Sequence, residues 1–247
     1  MNTQTTKSYT KRRTNQHTGY LLLLLGSCFI TIFFICSFIW NDMNKNQEAP
    51  INSTKLSSAY NKNSRHEWNL ILVNHENRIP KSFNIDLTTL SNGEKIDSRI
   101  YKPLQRMFDD ARKAGLEPIV GSGYRTAQEQ QRILDDKIAA YELEGNNEET
   151  ARELALKWVA RPGYSEHQLG ISVDINSDVR ISSEEAVYRW LADNAHKYGF
   201  IHRYPENKTH ITGVINEPWH YRYVGEKAAT DIYKRGICLE EYLNTMK

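Results

Sequence analysis

Cysteine is scarce in this chain. Three occur in 247 residues, and two of them, Cys28 and Cys36, lie inside an uncharged apolar run. That leaves Cys238 alone in the rest of the sequence. One thiol can neither close an internal disulfide nor build a cysteine-based zinc site, which excludes a disulfide framework and a zinc-ribbon type of fold. Acid is missing altogether from residues 1–40, which hold Lys7, Lys11, Arg12 and Arg13. Those four leave 28 of the 32 basic side chains against 30 acidic ones in the remainder, a net of −2. A near-neutral main domain offers no footprint for nucleic acid. No internal repeat is visible, and the familiar H-E-x-x-H zinc motif is absent.

A long apolar run is present once. Residues 19–40 carry no charge and include Leu21 to Leu25 and Ile30 to Ile35. A helix of that length spans about 30 Å of hydrocarbon. The basic flank on its N-terminal side predicts a cytoplasmic tail at 1–18, a single transmembrane anchor at 19–40 and everything after Trp40 outside. No A-x-A cleavage pattern follows Trp40. Leu25-Gly26-Ser27-Cys28 loosely resembles a lipobox, so lipidation at Cys28 is the alternative anchor; against it, the chain stays apolar for twelve residues after Cys28. Residues 41–65 are polar and rich in Asn, Ser and Lys, which reads as a flexible linker. The folded domain is expected over 66–247.

Within that domain, Leu70 to Val73 predict a strand or other buried segment. Ile100, Leu104, Met107, Phe108 and Ala111 fall at helical spacing, with Gly115 as the stop. An apolar stretch around Ile119 and Val120 predicts a strand leading into Ser122-Gly123-Tyr124-Arg125. Thr126 with Glu129 forms a capping box before a helix carrying Ile133, Leu134, Ile138 and Tyr141. A second helix is expected over 148–159, broken by Pro162-Gly163. Gly170 to Ile175 alternates, with Ile171, Val173 and Ile175 on one face and Ser172 and Asp174 on the other. Ser182 with Glu185 reads as another capping box, opening a helix that ends at Gly199. Trp219 to Val224 alternates again, placing His220 and Arg222 on one face. A final helix holds Ala228, Ala229 and Ile232 and stops near Gly236. Helices mixed with short, irregularly spaced strands predict an α+β fold: a small antiparallel sheet flanked by helices.

Three segments carry the chemistry: Ser165-Glu166-His167, Asp174, and Glu217-Pro218-Trp219-His220. A hydrolytic zinc centre needs three protein ligands from His and carboxylate plus an open position. His167, read as lying near the start of a strand, and Asp174 could meet across a turn at Gly170. His220 comes from a separate strand, and Glu217 sits three residues before it. Zinc acidifies water and polarises a carbonyl, and a carboxylate base then moves the proton to the leaving amine. A cation is expected to face the oxygen that gains charge, and Arg125 is the candidate. A lone His or Asp on a strand is more often a structural or surface group, so spacing alone leaves both readings open. Glu166, read as an exposed acid, is left out of the site.

Ser165-Glu166-His167-Gln168-Leu169-Gly170-Ile171-Ser172-Val173-Asp174 resembles the S-x-H-x-x-G-x-A-x-D signature of the VanY/LdcB-type D-alanyl-D-alanine and L,D-carboxypeptidases. Glu217-Pro218-Trp219-His220 is similar to their E-P-W-H, and Ser122-Gly123-Tyr124-Arg125 to their S-G-Y-R. The similarity runs from about Trp68 to Tyr242, with the three motifs in order. It implies Zn2+ held by His167, Asp174 and His220, Glu217 as general base and Arg125 stabilising the transition state. It also implies that Gln130 and Ser165 contact the peptide and that Tyr204 forms a wall of the pocket. The implied substrate is a peptidoglycan stem peptide cut at its terminal D-alanine. An L,D-carboxypeptidase acting on tetrapeptide stems, or a non-catalytic zinc-containing wall-binding domain, are the alternatives. One position departs from the signature: Ser172 stands where the family has Ala, a tolerated small hydroxyl beside the metal strand.

Overall fold

The structure, a computed structural model, describes residues 68–246. Among them no helix is long and apolar enough to cross a membrane. The basic tail, the apolar run at 19–40 and the spacer at 41–65 lie outside the described residues.

A hairpin of β1 (Leu87–Thr89) and β2 (Lys95–Asp97) leads into α1 (Ser98–Lys113). Asp97 caps this helix by accepting the Arg99 N–H at 2.9 Å. Ile100, Leu104, Met107, Phe108 and Ala111 form its buried stripe, as their spacing predicts. Next come β3 (Pro118–Ser122), α2 (Ala127–Leu143) and α3 (Glu148–Leu156). Thr126 and Glu129 make the expected reciprocal capping box on α2. The α2–α3 hairpin closes its own small core on Leu134, Ile138, Ala151 and Ala155.

A 3-10 helix (Glu166–Leu169) then enters β4 (Ser172–Ser177), followed by α4 (Glu184–Asn194), β5 (Phe200–His202), a four-residue α5 (Thr209–Thr212), β6 (His220–Tyr223), α6 (Glu226–Arg235) and α7 (Leu239–Thr245). The main sheet is antiparallel, in the order β3-β4-β6-β5. Ile171, Val173, Ile175 and Tyr221 bury one face of it with α1 and α4 residues such as Leu104, Met107, Val187 and Leu191. A second core joins Leu70, Leu72, Ile201 and Val224 to α6 and α7. The α+β expectation therefore holds, with a small antiparallel sheet among helices.

Two local expectations are corrected and two are made specific. Of the two readings open for Leu70 to Val73, the buried segment holds: Leu70, Leu72 and Val73 are buried, and no strand forms there. The carbonyls of Asn69 and Ile71 are taken by the Arg222 guanidinium instead of a neighbouring strand. His167 lies in the 3-10 turn that leads into β4, near the start of that strand as expected. Ser183, not Ser182, caps α4 by accepting the Ala186 N–H, while Ser182 Oγ is engaged with Ser177 and with the Glu117 N–H. The helix ending at Gly236 is not the last: α7 follows, its face buried through Leu239, Tyr242 and Leu243.

Gly170 makes the turn between His167 and Asp174 feasible. It adopts φ +67°, and a Cβ there would lie 2.6 Å from Ile85 Cδ1 and 3.1 Å from the Asp97 amide nitrogen. An L-residue pays about 1–2 kcal/mol for this conformation before any overlap. Gly170→Ala is expected to lower the thermal midpoint by roughly 3–6 °C. An unchanged melting curve would show that the turn relaxes freely.

Candidate metal centre and active site

Strand register builds the centre. Asp174 on β4 is paired with His220 on β6, and on the other side with Ser122 at the end of β3. Two central strands and one strand end thus deliver a carboxylate, an imidazole and the start of the Ser122–Arg125 loop to one place. The turn at Gly170 folds His167 back over the same point. Its ring meets that of His220 edge-on, 4.9 Å between centroids at 86°.

The polar faces of β4 and β6 turn away from solvent. Ser172, His220 and Arg222 are all buried, so the alternation separates an apolar core from an internal polar layer. His167 Nδ1 lies 2.7 Å from the Gly123 carbonyl, which fixes the proton on that nitrogen and leaves Nε2 with its lone pair. That Nε2 is 3.4 Å from Asp174 Oδ1, and His220 Nδ1 is 3.1 Å from the same oxygen. One donor atom from each of the three residues lies within 4.8 Å of the others.

The predicted supporting residues also converge. Glu217 Oε2 is 3.7 Å from His220 Nδ1. Arg125 donates from Nη2 to Asp174 Oδ2 at 2.7 Å and from Nε to Ser122 Oγ at 2.8 Å. Ser165, Gln130 and Tyr204 are buried and line the same cleft of about 570 Å³. Gln130 Nε2 donates to the Ala160 carbonyl, while its Oε1 is buried with no partner. The Tyr204 ring centroid is 4.9 Å from that of His220.

Two groups escaped the sequence reading. Glu166 is not exposed: it is fully buried between Arg203 and Arg222. Its position inside the signature, together with Arg222 on the same strand face as His220, was the available signal. The Ser172 hydroxyl, read as merely tolerated, donates to Glu166 Oε2 at 3.1 Å. His202 adds a contact to the Glu217 carbonyl at 3.1 Å.

Charge in the centre fits a cation. Burial alone would raise the Asp174 carboxyl, yet His167 and His220 hold it well below the usual range. Burial alone would lower His220, but the carboxylates of Asp174 and Glu166 on either side of the ring push it up to about 9. The metal-free chain thus keeps a proton on an imidazole among carboxylates, where a divalent ion would compete with it. A His–Asp–His donor set suits zinc, whose hydrolytic centres take three such protein ligands.

Glu217 is pushed up from 4.5 to about 7, first by burial and then by Asp174, against the opposing charges of His220 and Arg125. A carboxyl with a raised folded pKa binds its proton more tightly in the folded chain than in the unfolded one. Its burial is therefore free of charge cost in acid, and the cost grows as pH rises from 4.5 to about 7. In the metal-free protein, Glu217→Gln is expected to stabilise by about 2–3 kcal/mol at pH 8 and hardly at all at pH 4. Denaturant titrations at the two pH values check this, and an equal effect at both would contradict it.

A His–Asp–His centre with a raised carboxyl beside it, at the head of a peptide-sized cleft, is the arrangement of a metallopeptidase. The chain belongs to the VanY family of D-alanyl-D-alanine carboxypeptidases, whose family model matches residues 93–226. The D-alanyl-D-alanine carboxypeptidase of Enterococcus faecalis is 56% identical over 192 residues, 78% of this chain and 72% of that one. The structure of VanYB in complex with D-alanine-D-alanine is 58% identical, with a TM-score of 0.72, covering 73% of this chain and 100% of that one. A vancomycin-resistance D,D-pentapeptidase VanY solved with Zn(II) is also 58% identical, with a TM-score of 0.71, covering 72% of this chain and 100% of that one.

Proposed function

We propose that this chain is a zinc-dependent D-alanyl-D-alanine carboxypeptidase that trims peptidoglycan stem peptides. The observation that carries the reading is the convergence of His167, Asp174 and His220 with Glu217 at 3.7 Å from His220 Nδ1. High identity to a relative named for this activity, to VanYB solved with D-alanine-D-alanine and to a D,D-pentapeptidase VanY solved with Zn(II) supports it.

His167 Nε2, Asp174 Oδ1 and His220 Nδ1 would hold the metal. Zinc at such a centre supplies a Lewis acid that polarises a carbonyl and acidifies water. Glu217, with a pKa raised to about 7, takes the proton of the attacking water and returns it to the leaving D-alanine nitrogen. Arg125 is already fixed by Asp174 and Ser122 through Nη2 and Nε, and turns its remaining nitrogen to the carbonyl oxygen as that oxygen gains charge. Gln130 Oε1, buried and unpartnered, accepts a substrate N–H. Ser165 donates to the peptide, and Tyr204 walls the cleft beside His220.

The test is to supply a pentapeptide stem ending in D-Ala-D-Ala and a tetrapeptide stem ending in one D-Ala, then to weigh the products. Loss of one alanine from the pentapeptide is expected. Cleavage of the tetrapeptide alone would make the chain an L,D-carboxypeptidase, and cleavage of neither would leave a wall-binding domain.

The uncharged run at 19–40 with its basic flank supports a further proposal: a single-pass anchor that places the domain on the outer face of the cell membrane. Protease added to intact protoplasts is expected to remove the domain, and alkaline carbonate to leave the N-terminal fragment in the membrane. A domain protected from protease would reverse the orientation, and release by carbonate would rule out the anchor.

A further inference from the structure

Behind the metal ligands lies a layer of buried charge that the reaction does not use. Glu166 Oε1 accepts from Arg203 Nε at 2.8 Å and from Arg222 Nη1 at 2.7 Å. Arg203 also grips Glu240 of α7, with Nη1 at 2.9 Å and Nη2 at 2.7 Å. Arg222 Nη2 reaches the carbonyls of Asn69 and Ile71, at 3.2 and 2.8 Å. Segments from both ends of the described fold therefore hold the two guanidinium groups that hold one carboxylate. Apolar packing commonly stabilises a core as well as a buried ion cluster does, so stability alone is a weak reason for this one.

The second oxygen supplies the reason. Glu166 Oε2 accepts from Ser172 Oγ at 3.1 Å and faces His220 Nε2 at 3.6 Å. That nitrogen is buried and has no hydrogen-bond partner. The other ring nitrogen, Nδ1, faces Asp174 at 3.1 Å and Glu217 at 3.7 Å. An imidazole can offer Nδ1 to a metal only when its proton sits on Nε2.

We propose that Glu166 is a positioning residue: its Oε2 is the acceptor toward which the Nε2–H of His220 points, and it holds that ring in the tautomer whose Nδ1 lone pair points at Asp174 and His167. Arg203 and Arg222 fix the rotation of the carboxylate, because both bind Oε1 and so turn Oε2 to the histidine. Ser172 fills the remaining lone pair of Oε2. His167 has its own orienter in the Gly123 carbonyl, so each histidine is locked by a different acceptor. A carboxylate on one histidine and a carbonyl on the other is a common way of tuning metal ligands.

The inference rests on the metal reading above, and Glu166→Gln separates the two. Because both arginines demand an oxygen at the Oε1 position, the amide nitrogen must occupy the Oε2 position. There it opposes the Nε2–H of His220, donor against donor, and favours the wrong tautomer. Zinc affinity of the full chain, measured by competition with a chromophoric chelator on folded protein, is expected to fall 10–100-fold. Ile232→Ala, a cavity in the distant α6 core, is the control: it should lower the thermal midpoint and leave zinc affinity within two-fold of wild type.

Zinc binding by Glu166→Gln within two-fold of wild type would overturn the inference while leaving the metal reading intact. Equal weakening in both variants would also overturn it, since affinity would then merely follow stability. A wild type that binds no zinc would overturn both. Should Glu166→Gln fail to fold, ring 15N shifts of His220 in the zinc-loaded wild type decide. A proton on Nε2 with Nδ1 on the metal is expected, and the reverse tautomer would end the proposal.

Discussion

Glu217→Gln is expected to lower kcat on a pentapeptide stem by about 10²–10⁴-fold while zinc content and KM stay near wild type. The amide keeps the shape of the side chain and removes its ability to take a proton. The carboxyl is buried and raised to about 7, so near neutral pH it exists in both forms and can accept and return a proton within one turnover. Burial of an ionisable group is a cost to the fold, which is why the same substitution is expected to stabilise the metal-free chain in mild alkali. A paired result, slower and sturdier, would locate the conflict between stability and catalysis at this one carboxyl. Wild-type turnover in Glu217→Gln would remove it from the mechanism.

Stripping the metal with a chelator is the second large effect. Hydrolysis is expected to fall at least about 10³-fold, because a Lewis acid at the carbonyl supplies several kcal/mol of transition-state stabilisation. Added zinc should restore it. Near-UV circular dichroism should survive the treatment, because the main core around Leu104, Val173 and Leu191 contains none of the metal donors. Turnover that persists without metal would contradict the assignment, and loss of the near-UV signal would give zinc a structural role as well.

These effects converge on residues the sequence already exposed, and the reason is local. Alternation across Gly170–Ile175 and Trp219–Val224 places Asp174 and His220 on polar faces before any fold is known. Register then needs only two antiparallel strands to bring them together, and the observed pairing is Asp174 with His220. The α1 stripe and the Thr126–Glu129 capping box are equally legible, since each depends on residues within a few positions of one another.

What was not legible depends on long-range partners. Glu166 reads as an exposed acid until Arg203 and Arg222, 37 and 56 residues away, are seen to enclose it. The Leu70 to Val73 segment reads equally as a strand or as another buried stretch until a guanidinium is found on the carbonyls of Asn69 and Ile71. Ser182 loses its cap to Ser183 because Ser177 claims its hydroxyl. The small helix α7 was missed because its seven residues show too little periodicity, although its Glu240 anchors Arg203. Where a group far along the chain satisfies a side chain or a carbonyl, as at Glu166 and at Asn69 and Ile71, the neighbours in sequence carry no signal of it.

The central claim is that one zinc ion is held by His167, Asp174 and His220 at the joined ends of β4 and β6. An anomalous-difference map, collected from zinc-loaded crystals on both sides of the zinc absorption edge, tests it most directly. The account predicts a single strong peak within bonding distance of His167 Nε2, Asp174 Oδ1 and His220 Nδ1, with Glu217 beside it but not bound. A peak coordinated by other residues, or one reached through His220 Nε2, would contradict it.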